Sequence, residues 1–206
     1  MSVEYVEFIV EEPSMEAALR RLLPKVLGNV GFDVFPHRSK GELLQRLPAR
    51  LSGYAKRRSR DAWFRDRCRV VILVDRDDDD CRKLRKKIDS MSRAVGLPPT
   101  GPGRAVIARI AIEELEAWYF GDWKAVVAAY PRVPPTIPDK DGFRDPDAVQ
   151  GGTWEAFERV MRGAGYFAGG LRKIEAAIEI SEYMNPARNT SRSFQVFRDA
   201  IKELAA

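Results

Sequence analysis

Short apolar segments alternate with longer segments of mixed polarity along the first half of the chain. Residues 70–74 (VVILV) form a continuous apolar run, which is typical of a strand buried on both faces of a parallel sheet. Other short segments rich in β-branched and aromatic residues end at Gly, Pro or charged residues, which favours strands there too. The predicted strands are residues 5–10, 32–35, 70–74 and 105–110.

Between these strands, apolar residues recur every three or four positions, which is the spacing of one helix face. The predicted helices of this half are residues 14–28, 43–54 and 81–95. Ser14 is the expected N-terminal cap of the first helix, and Pro48 is expected to interrupt the second. This alternation of strands and helices predicts an α/β fold with an open, mainly parallel sheet flanked by helices.

The C-terminal third of the chain is predicted to be helical. The helical segments are residues 113–120, 123–130, 154–162, 171–184 and 193–204, and a proline-rich irregular connection covers residues 131–152. Ser191 or Ser193 is expected to cap the last helix. We expect an α/β core in residues 1–122 and a helical region in residues 123–206, packed together as one compact unit.

The composition is that of a globular protein, because 45% hydrophobic residues can form a core beneath a surface with many charges. The sequence contains no apolar run of the roughly 20 residues that a membrane span needs. The first residues lack the pattern of a signal peptide. We therefore expect a cytoplasmic protein with no membrane partner, and the sequence leaves its oligomeric state open. Cys68 and Cys81 are expected to be reduced thiols.

The charge and histidine content of the chain indicate which catalytic residues and which binding partner to expect. His37 is the only histidine, so catalysis is expected to depend mainly on carboxylates. The net charge of +5 and the local runs of basic residues favour binding to a nucleic-acid backbone. The candidate phosphate contacts are Lys56, Arg57, Arg58, Lys83, Arg188 and Arg192. Solvated helix faces, helix capping and surface ion pairs are the alternative explanation for these residues.

Acidic residues follow two of the predicted strands at the point where each strand ends. Glu11 follows residues 5–10, and an acidic run that includes Asp75, Asp77 and Asp79 follows residues 70–74. If the two strands are neighbours, these carboxylates face one another across the edge of the sheet. Carboxylates held close together repel unless a cation neutralises them, and oxygen ligands without His or Cys favour Mg²⁺, Mn²⁺ or Ca²⁺, of which Mg²⁺ is the ion we expect.

Two further features qualify this candidate site. Glu116 lies three residues after Glu113 on a predicted helix face and is a further candidate metal ligand. Helix capping is the alternative role for Asp79 and Asp80, because acids that follow a strand often begin the next helix.

The sequences FIVEEPSMEAALRRLLP and VVILVDRDDDDCRKL together resemble the Toprim fold of topoisomerases, bacterial primases and overcoming-lysogenization-defect nucleases. The resemblance implies that Glu11 is the catalytic acid or base, that Asp75 and Asp77 bind Mg²⁺, and that Asp79 is an additional ligand. Toprim sequences usually have Gly directly after this Glu, where the present chain has Glu12. Whether Glu11 or Glu12 points into the site is therefore left open by the sequence.

Two other segments, IAIEELEAWYFGD and YMNPARNTSRSFQVF, extend the likeness over nearly the whole chain. With them, the chain resembles a bacterial family known as domain of unknown function 4276. Members of this family are often encoded beside ATPases of the kind found in phage-defence operons. The resemblance implies a Toprim-like fold and an ATPase partner.

Two functional hypotheses follow. The first is a Mg²⁺-dependent nuclease of Toprim type, which works with an ATPase partner in defence against phage or foreign DNA. The second is a non-catalytic subunit that binds nucleic acid or regulates such an ATPase. The sequence does not distinguish DNA from RNA as the bound nucleic acid.

Overall fold

The structure of the protein is a computed structural model, and it describes residues 2–75, 80–101, 104–111 and 115–205, with residues 109–111 described by their backbone alone. In these residues the strands form a four-stranded sheet of order β2-β1-β3-β4, in which every pairing is parallel. The strands are β1 (Tyr5–Val10), β2 (Gly31–Pro36), β3 (Cys68–Asp75) and β4 (Val106–Ala111). The parallel α/β sheet predicted from the sequence is therefore confirmed.

Helices follow each strand and make up much of the C-terminal third, as the hydrophobic pattern predicts, and one further helix, residues 62–67, lies in a basic segment where no helix is predicted. They are α1 (Pro13–Leu27), α2 (Lys40–Arg60), α3 (Ala62–Arg67), α4 (Cys81–Ala94), α5 (Leu115–Gly121), α6 (Trp123–Ala129), α7 (Thr153–Gly163), α8 (Lys173–Tyr183) and α9 (Arg192–Ala205). The connection from α6 to α7 is irregular apart from one 3₁₀ turn at Ile137–Asp139.

The two faces of the sheet carry two separate hydrophobic clusters. Val71 and Leu73 belong to the larger cluster, which includes residues of α1 and of the C-terminal helices. Val70, Ile72 and Val74 belong to the other cluster, together with residues of α2, α3 and α4. Because successive side chains of a strand point to opposite faces, burial of both faces explains the unbroken apolar run of β3.

The beginning of α1 differs from the sequence prediction. Ser14 does not cap the helix, because α1 begins at Pro13 with Glu12 in the cap position. The Ser14 hydroxyl instead donates a hydrogen bond to Glu12 Oε1 at 2.6 Å. Proline suits the first position of a helix because the N–H that it lacks would have no partner within the helix.

The predicted interruption at Pro48 is wrong, because α2 is one continuous helix of 21 residues. Proline removes a single helical hydrogen bond, whereas the apolar face of α2 is buried against the sheet over several turns. That face consists of Leu43, Leu47, Leu51 and Tyr54. Packing therefore holds the helix together across the proline, and the helix extends into the basic segment.

One of the two predicted caps of α9 is correct. The hydroxyl of Ser191 accepts a hydrogen bond from the backbone N–H of Phe194 at 3.2 Å. Ser193 lies inside the helix instead, and its hydroxyl accepts a hydrogen bond from Trp118 Nε1 at 3.1 Å. No helix in the described part of the chain combines the length and apolar composition needed to cross a membrane.

The two thiols differ in environment, and we expect them to differ in reactivity. Cys68 is buried, and burial is the main cause that raises the pKa of its thiol to about 12, whereas Cys81 is partly exposed. Because the thiolate is the reactive form, Ellman's reagent near pH 8 should modify Cys81 and leave Cys68 unmodified in the folded protein. Both thiols should react in denaturant, and rapid modification of Cys68 under native conditions would contradict this assignment.

Candidate functional site

Parallel pairing of β1 with β3 brings the acids that follow these two strands together. Val10 is paired with Leu73, so Glu11 and Asp75 both lie at the carboxyl edge of the sheet. The backbone N–H of Asp75 donates a hydrogen bond to Glu11 Oε2 at 3.1 Å. Asp75 is buried and Glu11 is partly buried. Among the candidate acids, Glu11 and Asp75 are thus linked by a hydrogen bond between the backbone of Asp75 and the carboxylate of Glu11.

The contacts of Glu12 answer the question of which glutamate approaches β3. Glu12 Oε1 accepts the Ser14 hydroxyl and lies 3.8 Å from Lys173 Nζ of α8. Glu12 therefore points toward α1 and α8, whereas Glu11 contacts the end of β3. In this chain the glutamate whose carboxylate contacts the backbone of Asp75 is therefore Glu11.

Helix α5 carries two buried polar side chains that are close enough to these acids for their charges to interact. Glu116 is 3% exposed and Tyr119 is 1% exposed, and the two residues lie three positions apart on this helix. Burial raises the pKa of Tyr119 well above its ordinary value, and the charges of Glu116, Glu12 and Asp75 raise it further. The tyrosine is thus near these acids and keeps its proton, so it adds no negative charge.

Sequence reasoning missed Tyr119 and Lys40. Tyr119 could have been found from its spacing, because a residue three positions after Glu116 shares its helix face. Lys40, at the start of α2, donates a hydrogen bond from Nζ to the backbone oxygen of Asp75 at 3.3 Å. No pattern in the sequence links Lys40 to Asp75, which lies 35 positions away.

Part of the predicted metal site lies outside the described residues. Asp77 and Asp79 lie outside the described residues, so their predicted role as ligands stays a prediction. Glu113 lies outside them too, so the helix face that it is predicted to share with Glu116 also stays a prediction. Within the described residues, no three His, Cys, Asp or Glu side chains are grouped so as to hold a metal ion. Asp80 caps α4, because its Oδ1 accepts hydrogen bonds from the N–H groups of Arg82 and Lys83.

The predicted phosphate contacts fall at separate places in the fold. Lys83 is exposed on the first turn of α4 and lies at the same edge of the sheet as Asp75. Lys56, Arg57 and Arg58 lie at the end of α2, toward the beginning of β3 and thus at the opposite edge. Arg57 there stacks on the Phe64 ring, with 4.0 Å from its Cζ to the ring centroid.

Burial also lowers the pKa of Arg58, although an arginine stays charged at any physiological pH. The structure does not bring the basic run 56–58 to the carboxylates. A role of these three residues in binding nucleic acid stays a prediction for a different surface.

Arg188, whose side chain is 40% exposed, forms an ion pair with a buried carboxylate. Its Nε and Nη2 atoms lie 2.7 and 3.0 Å from the two carboxylate oxygens of Asp122, which is 2% exposed. The hydrogen bonds with Asp122 are the main cause that raises the pKa of Arg188. Asp122 also accepts the backbone N–H of Asn185 at 2.7 Å. The guanidinium therefore joins the end of α5 to the loop before α9.

The same loop makes close contacts with the rest of α5. Asn189 Nδ2 donates to the backbone oxygen of Trp118 at 2.8 Å, and Thr190 N donates to that of Gly121 at 2.8 Å. A Cβ atom at Gly121 would lie 2.1 Å from Asn189 Oδ1, so glycine is needed for this approach. The backbone N–H of Arg192 donates to Asp147, and the Arg192 side chain is exposed. The segments IAIEELEAWYFGD and YMNPARNTSRSFQVF, which carry the family resemblance, therefore pack against each other in the fold.

We expect replacement of Asp122 by Ala to lower the free energy of unfolding by about 2 kcal/mol, because it removes the hydrogen bonds that the buried carboxylate accepts from the backbone N–H of Asn185 and from the Arg188 guanidinium. Urea denaturation measures this change. Asp141→Ala is the matched control, since Asp141 is 93% exposed in a surface ion pair with Arg144 and should change stability by less than about 1 kcal/mol. Equal effects of the two substitutions would contradict a structural role for the Asp122–Arg188 pair.

Tyr119→Phe is expected to raise the free energy of unfolding by about 1 kcal/mol. No described residue forms a hydrogen bond with the buried Tyr119 hydroxyl, and an unsatisfied buried hydroxyl is destabilising. Tyr183→Phe is the matched control, because that side chain is 51% exposed and should be neutral. A loss of stability in Tyr119→Phe, measured by thermal or urea denaturation, would show that the hydroxyl has a favourable contact.

Comparison with known proteins identifies a family but no characterised relative. The family model described as domain of unknown function (DUF4276) matches residues 10–202, from the last residue of β1 into α9. No curated protein and no solved structure matches the chain. The matched range includes Glu11, Asp75, Glu116 and the Asp122–Arg188 pair. The chain therefore belongs to the family described as domain of unknown function DUF4276.

Proposed function

We propose that this protein is a metal-dependent phosphodiester hydrolase that cleaves nucleic acid at the carboxyl edge of its sheet. The observation that carries the proposal is the contact between Asp75 N and Glu11 Oε2, 3.1 Å long, which joins the acids at the ends of two neighbouring parallel strands. In parallel sheets, ligands bind beyond the carboxyl ends of the strands. The resemblance to the Toprim fold supports the same location.

The donor atoms suit a hard divalent ion. The ligands predicted from the sequence are all carboxylates, whose oxygens favour Mg²⁺ or Mn²⁺ over softer metals. Asp75 would hold the ion together with Asp77 and Asp79, and Glu116 is a further candidate ligand. Such an ion, when bound, polarises a phosphoryl oxygen and lowers the pKa of water.

Glu11 would act as the general acid or base beside this ion. The hydrogen bond from Asp75 N holds its carboxylate against the end of β3, so the group is positioned before substrate binds. The carboxylate would accept a proton from the attacking water and return it to the departing oxygen. Lys40 places a positive charge next to Asp75, and the exposed Lys83 and Arg192 would contact phosphates of the strand.

The cellular role is proposed from the genomic setting of the family. Members are often encoded beside ATPases found in phage-defence operons, so we propose that the present chain works with such an ATPase on phage or other foreign DNA. In this proposal the ATPase loads or remodels the nucleic acid, and the site that contains Glu11 and Asp75 hydrolyses its phosphodiester bonds.

Asp75→Asn is expected to reduce cleavage of single- or double-stranded nucleic acid in Mg²⁺ or Mn²⁺ by at least about 100-fold. Loss of a residue that only hydrogen-bonds to a metal ligand lowers metal affinity or activity 10- to 100-fold, so loss of the ligand itself should lower activity by at least as much. Glu11→Gln should have a comparable effect because it removes the proton acceptor. Gel assays with labelled DNA and RNA, with and without the neighbouring ATPase, measure the rates.

Asp141→Asn is the matched control for these substitutions, since it makes the same chemical change on an exposed surface. Cleavage that persists in Asp75→Asn would overturn the assignment of the site. Wild-type protein that cleaves nothing under any of these conditions would favour a non-catalytic binding or regulatory subunit instead.

A further inference from the structure

A basic groove lies beside the carboxylates, along the ends of β1 and β2. It has a volume of about 560 Å³ and is lined by Pro13, Pro36, His37, Arg38, Glu42, Arg46 and Arg50. The backbone N–H and Nδ1 of His37 lie 3.1 and 3.0 Å from the backbone oxygen of Val10, the residue before Glu11. The groove, named here the His37–Arg50 groove, therefore begins next to the candidate catalytic residue.

Positive charge predominates in the His37–Arg50 groove. Its single acid, Glu42, forms an ion pair with Arg46 at 3.0 Å, and the N–H of Arg38 is the main cause of the lowered pKa of Glu42. Glu42 therefore neutralises Arg46. In the part of the chain that the structure describes, no acceptor contacts the guanidinium of Arg38 or the terminal nitrogens of Arg50.

Arg50 is held in position without using these terminal nitrogens. Its Nε donates a hydrogen bond to the Tyr54 hydroxyl at 3.1 Å, and its Cζ lies 4.2 Å from the centroid of the Phe35 ring. An arginine fork oriented in this way loses little freedom when it binds an anion, and its planar geometry matches two oxygens of a phosphate.

We propose that the His37–Arg50 groove binds a backbone phosphate of the nucleic-acid strand that enters the candidate active site. The inference rests on the proposed function and identifies how that site holds its substrate. The carboxylates repel a polyanion, so a neighbouring cationic groove supplies the attraction needed to bring a phosphodiester to them. The groove is as large as pockets that hold drug-sized ligands, which suits a nucleotide unit and exceeds the need of a lone phosphate ion.

The test measures binding in the absence of metal. A labelled single-stranded DNA of about 12 nucleotides, and the RNA of the same sequence, are titrated in EDTA and followed by fluorescence anisotropy. Arg38→Gln combined with Arg50→Gln should raise Kd about 10-fold or more. The slope of log Kd against the logarithm of the salt concentration should fall by the amount expected for the loss of one to two phosphate contacts.

The matched control is Arg93→Gln combined with Arg162→Gln. These arginines are exposed on α4 and α7, and their replacement removes the same total charge. The control should change Kd by less than about 3-fold, because it removes only long-range attraction. Arg38→Gln alone guards against loss of packing at Arg50, since the exposed Arg38 side chain can be changed without disturbing Phe35. It should weaken binding about 3-fold with an unchanged melting temperature.

Two results would overturn the proposal: absence of oligonucleotide binding by the wild type, or equal weakening of binding by the control pair. Failure of the hydrolase proposal would look different. In that case Arg38 and Arg50 would still govern binding in EDTA, while no cleavage would appear with Mg²⁺ or Mn²⁺.

Discussion

The site depends on the parallel pairing of β1 with β3. Because parallel strands end at the same edge of a sheet, the pairing of Val10 with Leu73 is enough to carry Glu11 to Asp75 across 64 positions of sequence. The register is fixed by burial on both faces of β3. A slip by one residue would exchange the residues packed against α1 with those packed against α2 and α4, and neither cluster would fit.

The helical third of the chain supports this edge from one side. Asp122, Asn189 and Gly121 fasten the loop before α9 to α5, and α5 carries Glu116 and Tyr119. Trp118 adds apolar packing, with its ring centroid 5.1 Å from that of Phe197. The polar residues that give the C-terminal segment its distinctive sequence thus act mainly by positioning α5. This explains why Arg188, which looks like a phosphate contact in the sequence, has Asp122 as its partner.

Charge is segregated around the carboxyl edge. Glu11 and Asp75 meet at the ends of β1 and β3, and the His37–Arg50 groove lies on the β2 side of them. The basic run at the end of α2 lies at the other edge, because a helix that follows a parallel strand returns to the strand's beginning. The first turns of α2 therefore supply the cations that a polyanion would meet at the candidate site. The cations in the last turns of α2 lie too far away to do so.

The sequence by itself determined the order of strands and helices, the parallel sheet and the identity of the strand-end acids, because hydrophobic periodicity and strand termini are local properties. It misplaced the start of α1 at Ser14 and the break at Pro48, because the cap of α1 and the packing of α2 depend on neighbours outside the segment. Only the tertiary structure decided that Glu11 contacts the backbone of Asp75, that Lys40 contacts it too, and that Arg188 pairs with Asp122. These contacts join residues far apart in the chain, and their partners are set by strand order and helix packing, which no local pattern encodes.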